Sequence, residues 1–322
     1  MTGVLVLRAL GLGDFLTGIP ALRLLHLALP KAAISLAAPA YFGVIALDAG
    51  IVDEVVDYDG LLDLPPLPAG VRPPHIAIDL HGNGPASRSV LAALAPDRLI
   101  AYTTEPSPQG TSVWNPHEHE VLRWCRLVAE AFGVPADAAG GVPGSLPLPQ
   151  LPAHLPAGAI VVHPGASAPS RQWPADRFAA VATSLSRYGR QVIVTGSSGE
   201  RAIVQRVSDA SGARAVTGLS LEELFAVVGR AALVVSGDTG IAHVAATFGA
   251  PSVVLFGPVS PRLWGPPPLP IHRAISLRTN DDPAGDPHAD RPDPALLRIP
   301  VSLVLDESAG AISAASERQV TR

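Results

Sequence analysis

The chain has 322 residues, 48% of them apolar and 16% charged, with a formal net charge of −5 and a pI near 6.0. This is comfortable length for two domains and ample material for buried cores, while the mild acidity gives no electrostatic reason to expect a nucleic-acid partner. The only lysine is Lys31, directly after Pro30, which all but excludes Schiff-base chemistry because that amine is poorly placed to be desolvated. A single cysteine, Cys125, cannot form an internal disulfide and fits a reducing compartment. Its setting, "VLRWCRLVAEAFG", reads as an amphipathic helix with a packed thiol. The mean hydropathy of +0.30 comes from scattered Ala, Val and Leu, and no apolar run reaches the roughly 20 residues of a membrane helix. Arg8 interrupts the opening apolar stretch and no basic region precedes it, so a signal peptide is not expected and a cytoplasmic location is.

Short β-branched runs alternate with helix-patterned segments, the grammar of parallel α/β layers. Strands are expected at "GVLVLR", "AAISLAA", "EVVDY", "HIAIDL" and "RLIAY". Helices are expected over roughly 15 to 29, 86 to 95 and 117 to 133. Residues 135 to 158, "PADAAGGVPGSLPLPQLPAHLPAG", are rich in Pro, Gly and Ala without period and read as a linker. The grammar then restarts with "AIVVHPG", "ADRFAAVATSLSRYG", "RQVIVTGSSGE", "ERAIVQRVSDASG", "ARAVTG", "SLEELFAVVGRA", "ALVVSGDTG", "IAHVAATFG" and "PSVVLFGP". Four strand–loop–helix repeats suggest a second doubly wound sheet. Two such domains, 1–150 and 151–322, are expected to face a cleft, with ligands at the carboxyl ends of the strands.

The loops carry the chemistry. "ALGLGDFLTGIPAL" has Gly11 and Gly13 but Leu16 where a dinucleotide fingerprint needs its third glycine, and no acidic residue closes the next strand. Asp14 at that helix start is either an N-cap or a carboxylate held ionised by the helix dipole for a task of its own. Pro20 either kinks this helix or marks a second start. In "VVSGDTGIAHVAATFG", Thr239 and Gly240 open a helix whose free amides suit an anion. His243 lies on the same face as Thr239. Asp238 is suited to a sugar or ribose hydroxyl, or is simply an N-cap beside a packing histidine. Ser167 and Arg171 of "HPGASAPSRQWP" are placed to meet a diphosphate, with a plain surface arginine as the alternative. Glu200 of "VTGSSGE" would accept from a ribose diol or cap the next helix, and Leu219 offers an apolar surface to a base. "IDLHGNGPASRS" sets His81, Asn83, Ser87 and Arg88 on the side of Asp14. His117, His119 and Glu120 lack metal-ligand spacing, so no metal site is expected. "GDPHADRPDP" reads as an acidic, solvated loop.

Together these segments resemble glycosyltransferase family 9, whose best-known members are ADP-heptose:lipopolysaccharide heptosyltransferases. The resemblance runs in order through "LGDFLTGIPAL", "DLHGN", "HPGAS" with "RQWP", "VTGSSGE", "TGLSLEEL", "SGDTGIAHVAATFGAP" and "LFGPVSPRLWGP". It implies a GT-B fold of two Rossmann-like domains, acceptor on the first and donor nucleotide sugar on the second. It further implies an inverting, metal-independent transfer with Asp14 as general base across the cleft from the donor's anomeric carbon. Ser167, Arg171, Glu200, Leu219, Asp238, Thr239, Gly240 and His243 fall to an ADP-sugar donor, and Gly13, Thr17, His81, Asn83 and Arg88 to the acceptor side. No cofactor beyond the nucleotide sugar is implied. A glycan, lipid-linked or small-molecule acceptor stays open, and with it peripheral membrane contact. Arg171 stands where the family commonly carries lysine. A sugar-nucleotide epimerase and a non-catalytic nucleotide-sugar-binding protein of the same fold are the competing readings.

Overall fold

The computed structural model describes residues 3–61, 74–105, 112–140 and 144–320. The chain divides into two units, Met1–Leu146 and Pro147–Arg322. Unit 1 runs β1 (Gly3–Leu7), α1 (Leu12–Ala28), β2 (Ala33–Ala38), α2 (Ala40–Asp48), β3 (Glu54–Asp57), β4 (Ile76–Asp79), α3 (Pro85–Ala92), β5 (Arg98–Ile100) and α4 (Glu120–Phe132). Its strands are all parallel, in the order β3-β2-β1-β4-β5. The central strand "GVLVL" buries Val4, Leu5, Val6 and Leu7 on both faces, as a strand covered by helices on two sides must. α1 continues unbroken through Pro20; the ring removes one helical hydrogen bond, but Leu16, Ile19, Leu22 and Leu24 are buried around it, and packing rather than propensity holds the helix. Cys125 is buried in α4 and its thiol is pushed up to about 12 by burial.

Unit 2 runs β6 (Ile160–His163), α5 (Ala175–Leu185), β7 (Val192–Gly196), α6 (Arg201–Ser211), β8 (Arg214–Thr217), α7 (Leu221–Val228), β9 (Leu233–Gly237), α8 (Gly240–Phe248), β10 (Ser252–Phe256), α9 (Pro261–Trp264), β11 (His272–Ser276), α10 (Pro294–Leu297) and α11 (Val301–Val320). The strand order is β11-β10-β9-β6-β7-β8, again all parallel. One core joins Val162, Val194, Val235 and Leu255 of the sheet to Phe178 of α5 and to Val304 and Ala311 of α11.

Several elements depart from the sequence reading. α2 was hidden in a run apolar on every side, and β11, "HRAIS", opens on two polar residues that break its apolar run. The carboxyl-terminal tail is a 20-residue helix, α11, laid against α5 and the sheet; its Ala- and Ser-rich sequence masked the period. The expected linker is packed where it is described. Leu146 and Leu155 are buried, and Arg23 donates to the Ser145 carbonyl at 3.1 Å and Arg230 to that of Pro149 at 2.6 Å; residues 141–143 lie outside the described residues. The loop 285–294 is not merely solvated: the Ser170 amide donates to the Ala289 carbonyl, and the Asp293 amide donates back to the Ser170 carbonyl. Asp293 is buried, accepts from Arg278 at 2.6 Å and caps α10. One of the charges that made this segment look solvated, Asp293, is thus paired with Arg278 from outside it.

Candidate functional site

In unit 1 the strand order changes direction at β1 and β4, which pair from Val4↔Ile76 to Leu7↔Asp79. Open α/β sheets bind ligands outside the carboxyl ends of strands at such a point. The loops leaving there are those of Asp14 and His81. Gly11, not Asp14, is the N-cap of α1, because Asp14 sits inside the first turn. Its half-buried carboxyl is pushed up by burial, drawn down by the Arg8 guanidinium, pushed up again by Glu120, and favoured in its ionised form by the amides of Asp14 and Gly11. The net effect is a rise from the ordinary aspartate value, with burial as its largest cause.

Gly13 is half-buried in the same turn. Thr17 is buried; it donates to the Asp14 carbonyl at 2.9 Å and accepts from Arg8 at 3.0 Å, so its hydroxyl is spent inside the protein. The imidazole of His81 is held neutral, near 4, by burial and by Arg8. Asp79 accepts the His81 amide at 2.9 Å and the Ser87 hydroxyl at 2.6 Å, which fixes the loop. Arg88 folds back onto that loop, donating to the carbonyls of Asn83 and Gly84. His119 caps α4, its Nδ1 accepting from Val121, and among the described residues no three potential metal ligands gather.

Unit 2 repeats the design at β6 and β9, paired from Ile160↔Leu233 to His163↔Ser236. The loop after β6 carries Ser167 and Arg171. Arg171 donates to the Ser167 hydroxyl and, at 3.3 Å, to the Asp238 carbonyl, so the two loops are tied together. Gly237 makes this approach feasible, since a Cβ there would lie 2.8 Å from the Arg171 carbonyl oxygen. Asp238 is buried, and burial pushes its carboxyl up to about 6 against the pull of Arg171. Thr239, not Asp238, is the N-cap of α8, and its hydroxyl makes no cap bond. His243 sits edge-on to Trp264 with ring centroids 5.9 Å apart. Glu200 is the N-cap residue of α6 but its side chain makes no cap bond to that helix; it instead accepts the Ser197 amide at 2.7 Å in the capping box of the 3₁₀ turn Ser198–Glu200 that precedes it. Leu219 is half-buried after Gly218, whose φ is 74°.

Arg8 and His163 escaped the sequence reading as contributors at these loops, whereas Glu120 was named there beside His117 and His119. Arg8 and Glu120 are buried beneath the Asp14 loop. His163 is buried below Glu200, with Nδ1 3.1 Å from the Thr195 hydroxyl and Nε2 3.8 Å from Glu200 Oε2; burial lowers its pKa although Glu200 raises it. The signal was an ionisable residue closing an otherwise apolar strand, which must find a partner.

These strand ends can be set beside known proteins. Residues 111–284, just over half of the chain, match glycosyltransferase family 9 (heptosyltransferase). Lipopolysaccharide heptosyltransferase 2 of Salmonella typhimurium is 32% identical over 123 residues, 36% of this chain and 34% of that protein, so the match spans about a third of the relative's length. Among solved structures, the ADP-heptose lps heptosyltransferase II of E. coli aligns with a TM-score of 0.71 at 20% identity over 98% of this chain and all of that one. A family 9 glycosyl transferase from Veillonella parvula gives 0.74 at 20% identity over 97% of each chain. At such identities the likeness is one of fold, two Rossmann-like units of the GT-B class. With the family match extending over more than half of the sequence, the chain belongs to glycosyltransferase family 9, the heptosyltransferase family.

Proposed function

We propose that the protein transfers a heptose-like sugar from an ADP-linked donor to a hydroxyl acceptor by a single inverting displacement. Unit 1 supplies the acceptor side and the base; unit 2 holds the donor. The acceptor oxygen attacks the anomeric carbon as the bond from that carbon to the diphosphate oxygen breaks. The electron pair leaves with the diphosphate, and Asp14 takes the acceptor's proton. The observation that carries this is the Asp14 carboxyl itself, half-buried at the switch point of its sheet and more basic than an ordinary aspartate. A positioned base typically contributes about 10²–10⁴-fold.

On the donor side, Arg171, Ser167 and the amides at Thr239 and Gly240 would stabilise the departing diphosphate, an anion best met by preorganised donors. Glu200 keeps Oε2 on the Ser197 amide and offers Oε1 to a ribose hydroxyl. Leu219 would border the base, while Asp238 and His243 face the sugar and phosphates. His81 and Asn83 would meet the acceptor. No metal is assigned a step. Relatives named for ADP-heptose and for lipopolysaccharide make ADP-heptose the donor and a lipopolysaccharide core the acceptor to try first, with small-molecule acceptors beside it.

Two measurements test this. ADP should raise the melting temperature with or without magnesium, and UDP, GDP, dTDP and NAD should not; saturation at about a hundred times Kd adds roughly 2.7 kcal/mol. Asp14→Asn should keep the ADP shift and lose about 10²-fold or more of the transfer rate. A wild-type rate in that variant would remove Asp14 from the reaction, and a shift with NAD alone would remove the donor assignment.

A further inference from the structure

Arg8 follows β1 at the point where an apolar strand becomes the Asp14 loop. It is 1% exposed, and every polar arm of its guanidinium is used. Nε donates to the Asp14 carbonyl and Nη1 to that of Leu80; Nη2 donates to Thr17 Oγ1 at 3.0 Å and to Glu120 Oε1 at 3.3 Å. Glu120 is itself buried, accepting also from Trp124 Nε1 at 2.6 Å and from Arg123, and the guanidinium lies 5.0 Å from the Trp124 ring centroid. α1 makes room for this fork with a glycine in mid-helix, where glycine is intrinsically unfavourable. A Cβ at Gly18 would fall 2.6 Å from Arg8 Cδ and Nε.

A buried ion pair is weak evidence for stability, since apolar residues of similar volume often do as well or better. What distinguishes Arg8 is the choice of acceptors. One is the backbone of Asp14 itself, and another is Leu80, the residue before His81. We propose that Arg8 is a positioning residue for the Asp14 carboxylate. Its buried fork fixes the Asp14 loop and the His81 loop to each other and to α4, and supplies the cation opposite the base. This rests on the reading of Asp14 as the base, and deepens it.

Two charges act on Asp14 from the elements packed around it: Arg8 from the end of β1, and Glu120 from α4. Glu120 is in turn shared with Arg123. α2 meets α1 through Phe42 stacked on Phe15, an uncharged contact. His81, after β4, is held neutral partly by Arg8 and is the other group whose titration removal of Arg8 would move. Removing the Arg8 charge should therefore raise the pKa of Asp14, and removing the Glu120 charge should lower it.

The test follows the acid limb of kcat/KM together with the carboxyl titration of Asp14, isolated by difference infrared spectroscopy against the matching Asp14→Asn protein. Arg8→Gln should move both upward by about one pH unit or more, as expected for loss of a close opposite charge, and should do so equally in a His81→Gln background. Glu120→Gln should move them downward. Arg8→Lys keeps the charge and loses the fork, so the limb should stay while kcat falls about 10-fold or more at unchanged donor KM. A purely structural arginine would lower melting temperature and active fraction and leave the titration in place; that result in Arg8→Gln overturns the proposal. If Arg8→Gln does not fold, an unmoved titration in Glu120→Gln with wild-type kcat in Arg8→Lys overturns it as well. A shifted infrared titration alongside a fully active Asp14→Asn would instead retain Arg8's influence and reject the base.

Discussion

Replacing Asp238 by Asn should stabilise the protein at alkaline pH and leave it nearly unchanged in acid. Asp238 is 6% exposed at the end of β9, and its carboxyl is raised from 3.8 to about 6 by burial, with Arg171 offsetting part of that effect. The folded value lies above the unfolded one, so the folded state binds this proton more tightly. The contribution is fully present below about pH 3.8, fades as pH rises through 6, and above that leaves a buried anion. At roughly 1.4 kcal/mol per pH unit, the interval corresponds to about 3 kcal/mol as a ceiling. Asn preserves the shape and removes the charge. For a unit of this size that ceiling corresponds to about 6–12 °C, and a rise of several degrees is expected at pH 8 with little at pH 4. Scanning calorimetry at the two pH values reads it directly. An equal rise at both, or a fall at pH 8, would refute the burial argument. The same variant should bind the sugar nucleotide less tightly, the usual exchange of stability against function at a binding site.

Gly237→Ala places a methyl group 2.8 Å from the Arg171 carbonyl oxygen, and backbone cannot swing aside as a flexible side chain can. A loss of about 1–3 kcal/mol and a weakening of ADP binding by about 10-fold are expected; ADP titration with unchanged affinity would show that the Arg171 loop need not hold this position. His163→Asn can keep the contact to Thr195 but removes a buried base whose folded pKa lies below 6.5. Neutral His163 contributes stability above the unfolded pKa, near 6.5, that is lost as pH falls toward its folded value. The fall in melting temperature as pH drops below about 6.5 should be shallower in the variant, and an identical slope would assign the acid sensitivity to other groups.

Strands β1 to β10 were legible as short apolar runs punctuated by Gly, Pro or polar residues, a pattern readable within a dozen residues, whereas β11 was not. The loops of Asp14, Arg171, Glu200 and Asp238 were legible for the same reason: polar residues punctuate the carboxyl ends of strands. What failed was non-local. α2 and α11 carry no clear amphipathic period, so neighbours rather than propensity make them helices. Asp14 and Asp238 both looked like N-caps, yet Gly11 and Thr239 take those places; cap identity turns on the dihedral angles of single residues, which tertiary contacts set.

Local patterning by itself determined that this is an α/β chain with two restarting sheets, because the period of apolar residues depends only on which faces are covered. Strand order, and with it the switch points at β1–β4 and β6–β9, required the folded structure, as did the basicity of the carboxyls placed there. The clamp on Asp14 joins Arg8 to Glu120, 112 residues away, and the tie on the Arg171 loop joins Ser170 to Ala289 and Asp293. Pairing a buried charge is compulsory, but which distant residue meets it is a matter of register and packing, and only the tertiary structure decides that.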